Sequence, residues 1–410
     1  MTNELKKVPE LRFPEFDGEW EEEKIKSLFK VVSGSTPLRS KKEYFDKAEV
    51  PWVKTTDLNN NVLRITDEKI SNIAVKEVSM RILPKNTLLI AMYGGFNQIG
   101  RTGVISFDST INQAISALLD IEGKSDVNFL QAYFNFNVKK WRRVAASSRK
   151  DPNITKKDIE DFNITIPSLN EQKRLGEFFS KLDQQIELEE KKLAKLEEQK
   201  KGYMQKIFSQ EIRFKDENRN EYPEWEEKVL GDVATIVGGG TPNTKVAEYW
   251  NGDINWFSPV EIGNDIFVNE SKSKITELGL KKSSAKLLPT GTVLFTSRAG
   301  IGKTAILNSE ACTNQGFQSI VPNQNMLDTY YIYSRTNQLK KYAEIVGSGS
   351  TFIEVSGVQM RKMPIMLPSI AEQEKIGVFF KKIDDSLKKQ SNKIELLKKR
   401  KKGFLQKMFV

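Results

Sequence analysis

Asn163–Phe208 opens N-I-T-I-P-S-L-N-E-Q-K-R-L-G-E-F-F-S-K-L-D and closes K-K-G-Y-M-Q-K-I-F. Pro364–Phe409 opens P-I-M-L-P-S-I-A-E-Q-E-K-I-G-V-F-F-K-K-I-D and closes K-K-G-F-L-Q-K-M-F. Pro167 aligns with Pro368, Phe179 with Phe380 and Phe208 with Phe409, a constant offset of 201. A repeat of this length means two copies of one structural unit rather than a chance motif. Both copies read as long helices. No proline falls between Pro167 and Pro223, and Glu, Lys, Leu and Gln, all good helix formers, dominate the first.

Heptads fit both copies. In the first, Leu175, Phe179, Leu182, Ile186, Leu193, Leu196, Tyr203 and Ile207 form an apolar seam; in the second, Ile376, Phe380, Ile383, Leu387, Ile394, Leu397, Phe404 and Met408 do so. A seam sustained over several turns is a coiled-coil signature. Polar residues interrupt both seams at matching places, Glu189 with Gln390 and Lys200 with Lys401, and such residues help set register. Ser168 and Ser369 suit N-caps, and Glu171 and Glu372 fall where a capping box places its acid. The spacing predicts that the two helices pair antiparallel with each other, which gives a pseudo-twofold axis. About 34 residues at ~1.5 Å each would make a rod of about 50 Å that holds two heads apart.

The duplication extends outward from the helices. Trp20 to Pro37 runs from E-W to G-S-T-P, and Trp225 to Pro242 runs from E-W to G-G-T-P. Tyr44, Phe45 and Trp52 parallel Tyr249, Trp250 and Trp256, and Asn112-Gln113 parallels Asn314-Gln315. The chain therefore divides into a head at 1–166, a long helix at 167–210, a second head at 211–367 and a second long helix at 368–410. Short β-rich runs such as Thr87–Met92, Thr102–Phe107 and Thr292–Ser297 lie between Gly and Pro turns, while Asn128–Trp141 and Leu327–Tyr342 read as helices. The fold class is mixed α/β: two tandem α/β heads, each with a curved and mostly antiparallel sheet, separated by the helices of an antiparallel coiled coil.

Composition narrows the function. The 410 residues are 38% hydrophobic and 29% charged, with a net charge of +10. A basic surplus of that size favours a polyanion, most often nucleic acid or a membrane surface. No apolar run approaches the roughly 18–20 residues of a membrane span, and the N-terminus shows no hydrophobic signal core, so a cytoplasmic protein with no membrane partner is expected. Histidine is absent and Cys312 is the single cysteine, which removes histidine-based triads, histidine metal sites and cysteine-rich zinc sites. No metal ligand set and no catalytic residue is expected.

Two enzymatic motifs fail on inspection. Ala299-Gly300-Ile301-Gly302-Lys303-Thr304 resembles a phosphate-binding loop, but Ser297 stands at its first glycine position and a β-like run, Thr304–Leu307, follows where a helix should open. Asp57 with Asp67 and Lys69, and Glu261 with Glu270 and Lys272, loosely follow a metal-nuclease pattern that arises easily in so charged a chain. The glycine-rich cofactor loop and catalytic Pro-Pro-aromatic motif of a methyltransferase are missing. What remains is binding. The first head offers Lys54, Thr55, Thr56, Tyr93, Asn97, Gln98, Arg101, Asn112 and Gln113; the second offers Thr241, Ser258, Ser297, Arg298, Lys303, Asn314 and Gln315. Arginine suits guanine, and asparagine or glutamine suits adenine, in the major groove, while lysines and hydroxyls hold phosphates. The asparagines have a second reading as turn builders, and the repeated Trp20, Trp52, Trp225 and Trp256 read as core anchors.

The doubled P-S-[LI]-x-E-Q…F-F…D…K-K-G helix, the repeated W…G-x-T-P opening, and T-S-R-A with N-Q-G-F in the second head resemble the specificity subunit of type I restriction–modification systems. The resemblance covers essentially the whole chain. It implies two target recognition domains, each binding half of a bipartite sequence in double-stranded DNA, and a helical pair that fixes the spacer. It further implies docking of two methyltransferase subunits and, through them, restriction/translocase subunits. S-adenosylmethionine and ATP with Mg would then sit on those partners, and this chain would bind no cofactor. In the first head, Ala91-Met92-Tyr93-Gly94 stands where the second head has T-S-R-A. A self-contained nuclease or methyltransferase, and a coiled-coil scaffold binding only protein, are the alternatives; magnesium-dependent cleavage by the chain alone would favour the former, and absence of salt-dependent DNA affinity the latter.

Overall fold

The computed structural model describes residues 7–146, 152–298, 300–347 and 354–410. The chain forms two compact units, and their boundaries do not follow the simple order of the sequence. The first unit combines residues up to Lys192 with Ser391–Val410, and the second spans Leu193–Gln390. Each unit is thus a head, the near part of its own long helix, and the far part of the other.

The two long helices run Leu169–Phe208 and Ile370–Met408. Within the first unit they pair antiparallel: Lys393 reaches Glu189 at 2.8 Å, Lys401 reaches Asp183 at 2.5 Å, and Phe404 meets Phe178 edge-on at 5.2 Å. Within the second unit Lys200 meets Asp384 at 2.5 Å, and Tyr203 meets Phe379 at 5.2 Å. The seam lysines therefore do more than interrupt the seam. Each is bound by the Asp of the repeated K-[LI]-D stretch on the facing helix. Most seam residues lie inward, with Phe179, Phe380 and Ile376 fully buried, whereas Tyr203 stays 41% exposed.

The expected capping box is only half formed. Ser168 Oγ accepts from the Glu171 amide and Ser369 Oγ from the Glu372 amide. The glutamate side chains turn instead to arginines far away in sequence. Arg12 donates from Nε and Nη2 to Glu171 at 2.8 and 2.7 Å, and Arg213 does the same to Glu372 at 3.2 and 2.7 Å. A forked guanidinium matches a carboxylate with two charge-assisted bonds, which a backbone amide cannot offer. The neighbouring glutamines complete the latch. Gln172 donates to Pro167 O and Lys124 O and accepts from the Asp126 amide; Gln373 donates to Pro368 O and Met326 O and accepts from the Asp328 amide. Gly176 and Gly377 then let the caps of the next helices come close: a Cβ on either would stand 2.2 Å from Asp126 Oδ1 or 2.6 Å from Asp328 Oδ1.

Each head repeats one strand plan. In the first, a five-stranded sheet has the order Phe29–Ser33, Ile115–Asp120, Leu88–Ala91, Thr102–Ile105, Val62–Leu63; a three-stranded sheet has Lys69–Ile70, Val50–Val53, Thr110–Ile111. The second head gives Ala234–Gly238, Gln318–Pro322, Val293–Phe295, Thr304–Leu307, Phe267–Val268, and Ser273–Ile275, Trp250–Phe257, Ala311–Thr313. Most pairings are antiparallel, as expected, but each sheet ends on one parallel pair. A two-stranded ladder ties each head to the entry of its helix, Glu21–Lys24 on Asn163–Ile166 and Glu226–Val229 on Pro364–Leu367. The stretches read as single helices are each broken, into Val127–Phe136 and Val138–Ala146 at Asn137, and into Thr329–Ser334 and Thr336–Gly347 at Arg335. At the first break the Asn137 side chain donates to Tyr133 O; at the second, Arg335 donates to Tyr331 Oη and Met366 O.

The cores close on the far helix ends. Phe409 packs among Trp20, Phe129, Tyr133, Phe136 and Phe179, with ring centroids at 5.4–6.1 Å. Phe208 stacks on Phe380 at 5.8 Å and meets Tyr331 edge-on at 6.0 Å. Trp20, Trp52, Trp225 and Trp256 are all buried, as core anchors should be.

Candidate nucleic-acid interface

Four loops converge at one edge of each head, and the Asn-Gln turn links the G-x-T-P opening, the loop after the central strand and the hairpin loop. Trp52 Nε1 donates to Ser35 O at 3.2 Å, and Trp256 Nε1 to Gly240 O at 2.9 Å, so the buried tryptophans hold the opening in place. Gly34 lies against the Asn112 backbone and Gly239 against that of Asn314; a Cβ would stand 2.4 and 1.9 Å from those carbonyl oxygens, a space only glycine leaves. The Asn112 amide donates to Val53 O and the Asn314 amide to Phe257 O, which brings the loops after both central strands into the cluster.

Both asparagines are turn builders. Asn112 Oδ1 accepts from the Ala114 amide and Asn314 Oδ1 from the Gly316 amide, and Gln113 and Gln315 are left exposed beside them. In the second head, Thr241 Oγ1 donates to Gln315 Oε1, joining the opening to the Asn-Gln turn. In the first, Gln113 instead meets Tyr93, whose phenol burial pushes above its ordinary range.

Lys54 and Ser258 occupy matching turns with different chemistry. The Lys54 amide donates to Asp57 Oδ2 at 2.8 Å, and Lys54 Nζ lies 3.4 Å from Glu68. Ser258 donates through amide and Oγ to Glu261 Oε2, while Glu261 Oε1 accepts from the Lys272 amide. Asp57 and Glu261 thus serve turns, and among the described residues no group of acids, cysteines or histidines could hold a metal ion. Thr55 is buried under the loop and Thr56 exposed.

The remaining candidates lie on the hairpin loops. Ala91 and Arg101 close the first, Thr296 and Lys303 the second. Asn97 is exposed and Gln98 and Arg101 are half-buried. Ser297 is buried, and no partner for its hydroxyl is found among the described residues. Arg298 is half-buried and forms no ion pair among the described residues. Lys303 is exposed, its stem lying along Gly263 and Gly300. The phosphate-loop lookalike is therefore a β-hairpin turn; its Ala299 lies outside the described residues.

Three cations at these edges escaped the sequence reading. Arg39 lies 4.6 Å over the Phe45 ring and binds Glu68, whose carboxyl it holds below the ordinary range. Arg142 lies 5.6 Å over Phe96, and the stem of Lys340 packs on Gly302. Both sit on the helices that pack beside the hairpins, and only folding brings them there. Loops of cations, amides and hydroxyls on a rigid sheet edge suit hydrogen bonding to base edges and phosphates. The geometry defines a duplicated protein, with one fold carrying two differently surfaced edges.

Comparison with known proteins identifies the family. Residues 17–198 and 222–397 each match the type I restriction modification DNA specificity domain. The MjaIX specificity subunit of Methanocaldococcus jannaschii is 36% identical over 196 residues, covering 47% of this chain, which spans about half the length of that relative (45%). The MjaVIII specificity subunit of the same organism is 24% identical over 421 residues, 97% of this chain and 93% of its own length. The crystal structure of a type I restriction–modification S subunit from M. genitalium shares the fold with a TM-score of 0.66 at 15% identity, across 98% of this chain and 99% of that one. The chain belongs to the type I restriction–modification DNA specificity family, and carries its domain twice. Among the described residues no helix is long and apolar enough to cross a membrane.

Proposed function

We propose that this chain is the DNA-reading subunit of a type I restriction–modification complex and catalyses nothing itself. Each head reads one half of an asymmetric, bipartite target in double-stranded DNA. The paired helices set the spacer and dock two methyltransferase subunits, which carry S-adenosylmethionine and in turn engage ATP-dependent restriction/translocase subunits, in the cytoplasm. The observation that carries this reading is the contrast between edges: Tyr93, Arg101 and Lys54 in one head stand where Arg298, Lys303 and Ser258 stand in the other, on a matched frame.

The test is adenine-methylation mapping in a host with and without the gene, repeated after residues 20–150 are exchanged for the head of another family member. One half-site should change and the other persist. Loss of both, or no methylation pattern tied to the gene, would refute it.

A further inference from the structure

The two hairpin loops differ in one respect that base and phosphate recognition does not explain. The first head's loop is three residues longer, running G-G-F-N-Q-I-G from Gly94 to Gly100. Gly94, Gly95 and Gly100 have φ of +117°, +99° and +74°, the left-handed region that glycine enters without strain. The Gln98 amide donates to Gly95 O, so Phe96 and Asn97 form the tip of a tight turn.

Phe96 is 48% exposed at that tip. A single exposed apolar side chain needs no explanation by itself, but the surroundings of this one are specific. The loop's base is rigid: Ile99 is fully buried, Gly100 packs on Trp141, and Trp141 stacks on Phe162 at 3.8 Å. A firm base beneath a projecting ring is the form of a wedge. Arg142 stands 5.6 Å over the ring, and its buried Nε has no partner among the described residues. Gln98 Oε1, in the same turn, is likewise buried and unpartnered among them. Lys139 and Arg143 extend the positive charge along the same helix. In the second head the shorter loop carries Ile301 instead, and Ile301 packs against the core.

We propose that Phe96 is an apolar wedge that the first head inserts at one base step of its half-site, unstacking that step while Arg142 takes the adjacent phosphate. Aromatic wedges of this kind open a step when flanking cations hold the backbone. The inference rests on the DNA-reading function and predicts an asymmetry: beyond the adenine that each methyltransferase subunit must turn out of the stack, a further step is unstacked in the first half-site only.

The target is first obtained by selecting a randomised duplex library against the full chain assembled with its methyltransferase subunits. Duplexes of that sequence then carry 2-aminopurine at each position of both half-sites in turn. Beyond the adenine turned out in each half-site for methylation, binding should raise fluorescence severalfold at one further step, in the first half-site. Phe96→Ala should abolish that rise and weaken specific binding about five- to a hundredfold, Phe96→Leu should retain part of both, and neither should move the melting temperature. A mismatch at the opened step should restore affinity to Phe96→Ala. Tight, specific binding with no such further step, or with one that survives in Phe96→Ala, would overturn the wedge and leave DNA reading intact. A selection that yields no consensus would overturn both.

Discussion

The hairpin loops between Ala91 and Arg101 and between Thr296 and Lys303 hang from equivalent strands and close with equivalent backbone bonds, yet differ in length and in every polar side chain before the closing cation. The arginine–glutamate pairs of the two latches, Arg12 with Glu171 and Arg213 with Glu372, share the same forked contact and the same residue offset. Duplication has held constant what keeps each unit folded and left free what faces outward. A motif that recurs in both copies of this chain is therefore evidence of structure first. E-Q, the helical glycine and the terminal phenylalanine all have occupations inside the chain.

The strongest test of that division lies at the shared core. Phe409→Ala should destabilise the first unit by about 3–5 kcal/mol, read as an early transition in denaturant unfolding, while Phe208→Ala, at a half-buried site, costs the second unit less. Equal losses would mean that the two cores do not differ as their burial indicates. Next come the latches. Arg12→Ala strands a buried carboxylate and should cost about 3 kcal/mol. Arg213→Ala should cost less, because Trp225 Nε1 also donates to Glu372 at 3.1 Å; calorimetry on both variants decides it.

Gly176→Ala should cost about 2 kcal/mol through its clash with Asp126. Gly202→Ala, in the same helix with open space around it, should instead stabilise by about 0.5–1 kcal/mol. At the edges, Arg298→Ala should weaken specific DNA binding by about 1–3 kcal/mol and relax one base position, without lowering the melting temperature. Lys303→Ala should weaken binding to all sequences alike and flatten its salt dependence. A marked loss of stability in Arg298→Ala, with base preference kept, would assign that residue to the frame.

The smallest effect is at Cys312. Burial, with the nearby Glu277 charge, raises its thiol to about 11, whereas an unfolded cysteine titrates at about 8.5. The folded state keeps a proton that the unfolded state gives up, so this contribution is complete below about pH 8.5 and is lost as pH rises towards 11. The stability difference between wild type and Cys312→Ala should shrink across that window in pH-stepped urea unfolding; a constant difference would sink it.

The helices, their antiparallel pairing and the repeat of heads were legible because periodicity and self-similarity are local or countable in one chain. The partners of Glu171 and Glu372 were not, since Arg12 and Arg213 lie 159 residues away. Capping rules consider only the nearest four residues, and a bidentate arginine outcompetes them. The breaks at Asn137 and Arg335 were missed for a similar reason: what holds the second is Met366 O, on a distant strand. At the edges, residue types singled out loops that the fold brings together, but Arg39, Arg142 and Lys340 arrive from neighbouring elements. The turn role of Asn112 and Asn314 was readable from their recurrence, and the exposure of Phe96 was not.

Because Phe409 completes the core around Trp20, the first head cannot be finished when its own residues have been made. The ribosome must add some 200 more, about 10–40 s of synthesis at ~5–20 residues per second, while Trp20, Phe129 and Tyr133 wait uncovered. The second unit, spanning Leu193–Gln390, has all its parts before the first does. Birth order and maturation order are thus reversed, and a chain halted before residues 391–409 would carry one sound head and one that never closes. In such a truncated copy the aromatic core around Trp20 would stay exposed, the kind of surface that chaperones and proteases act on.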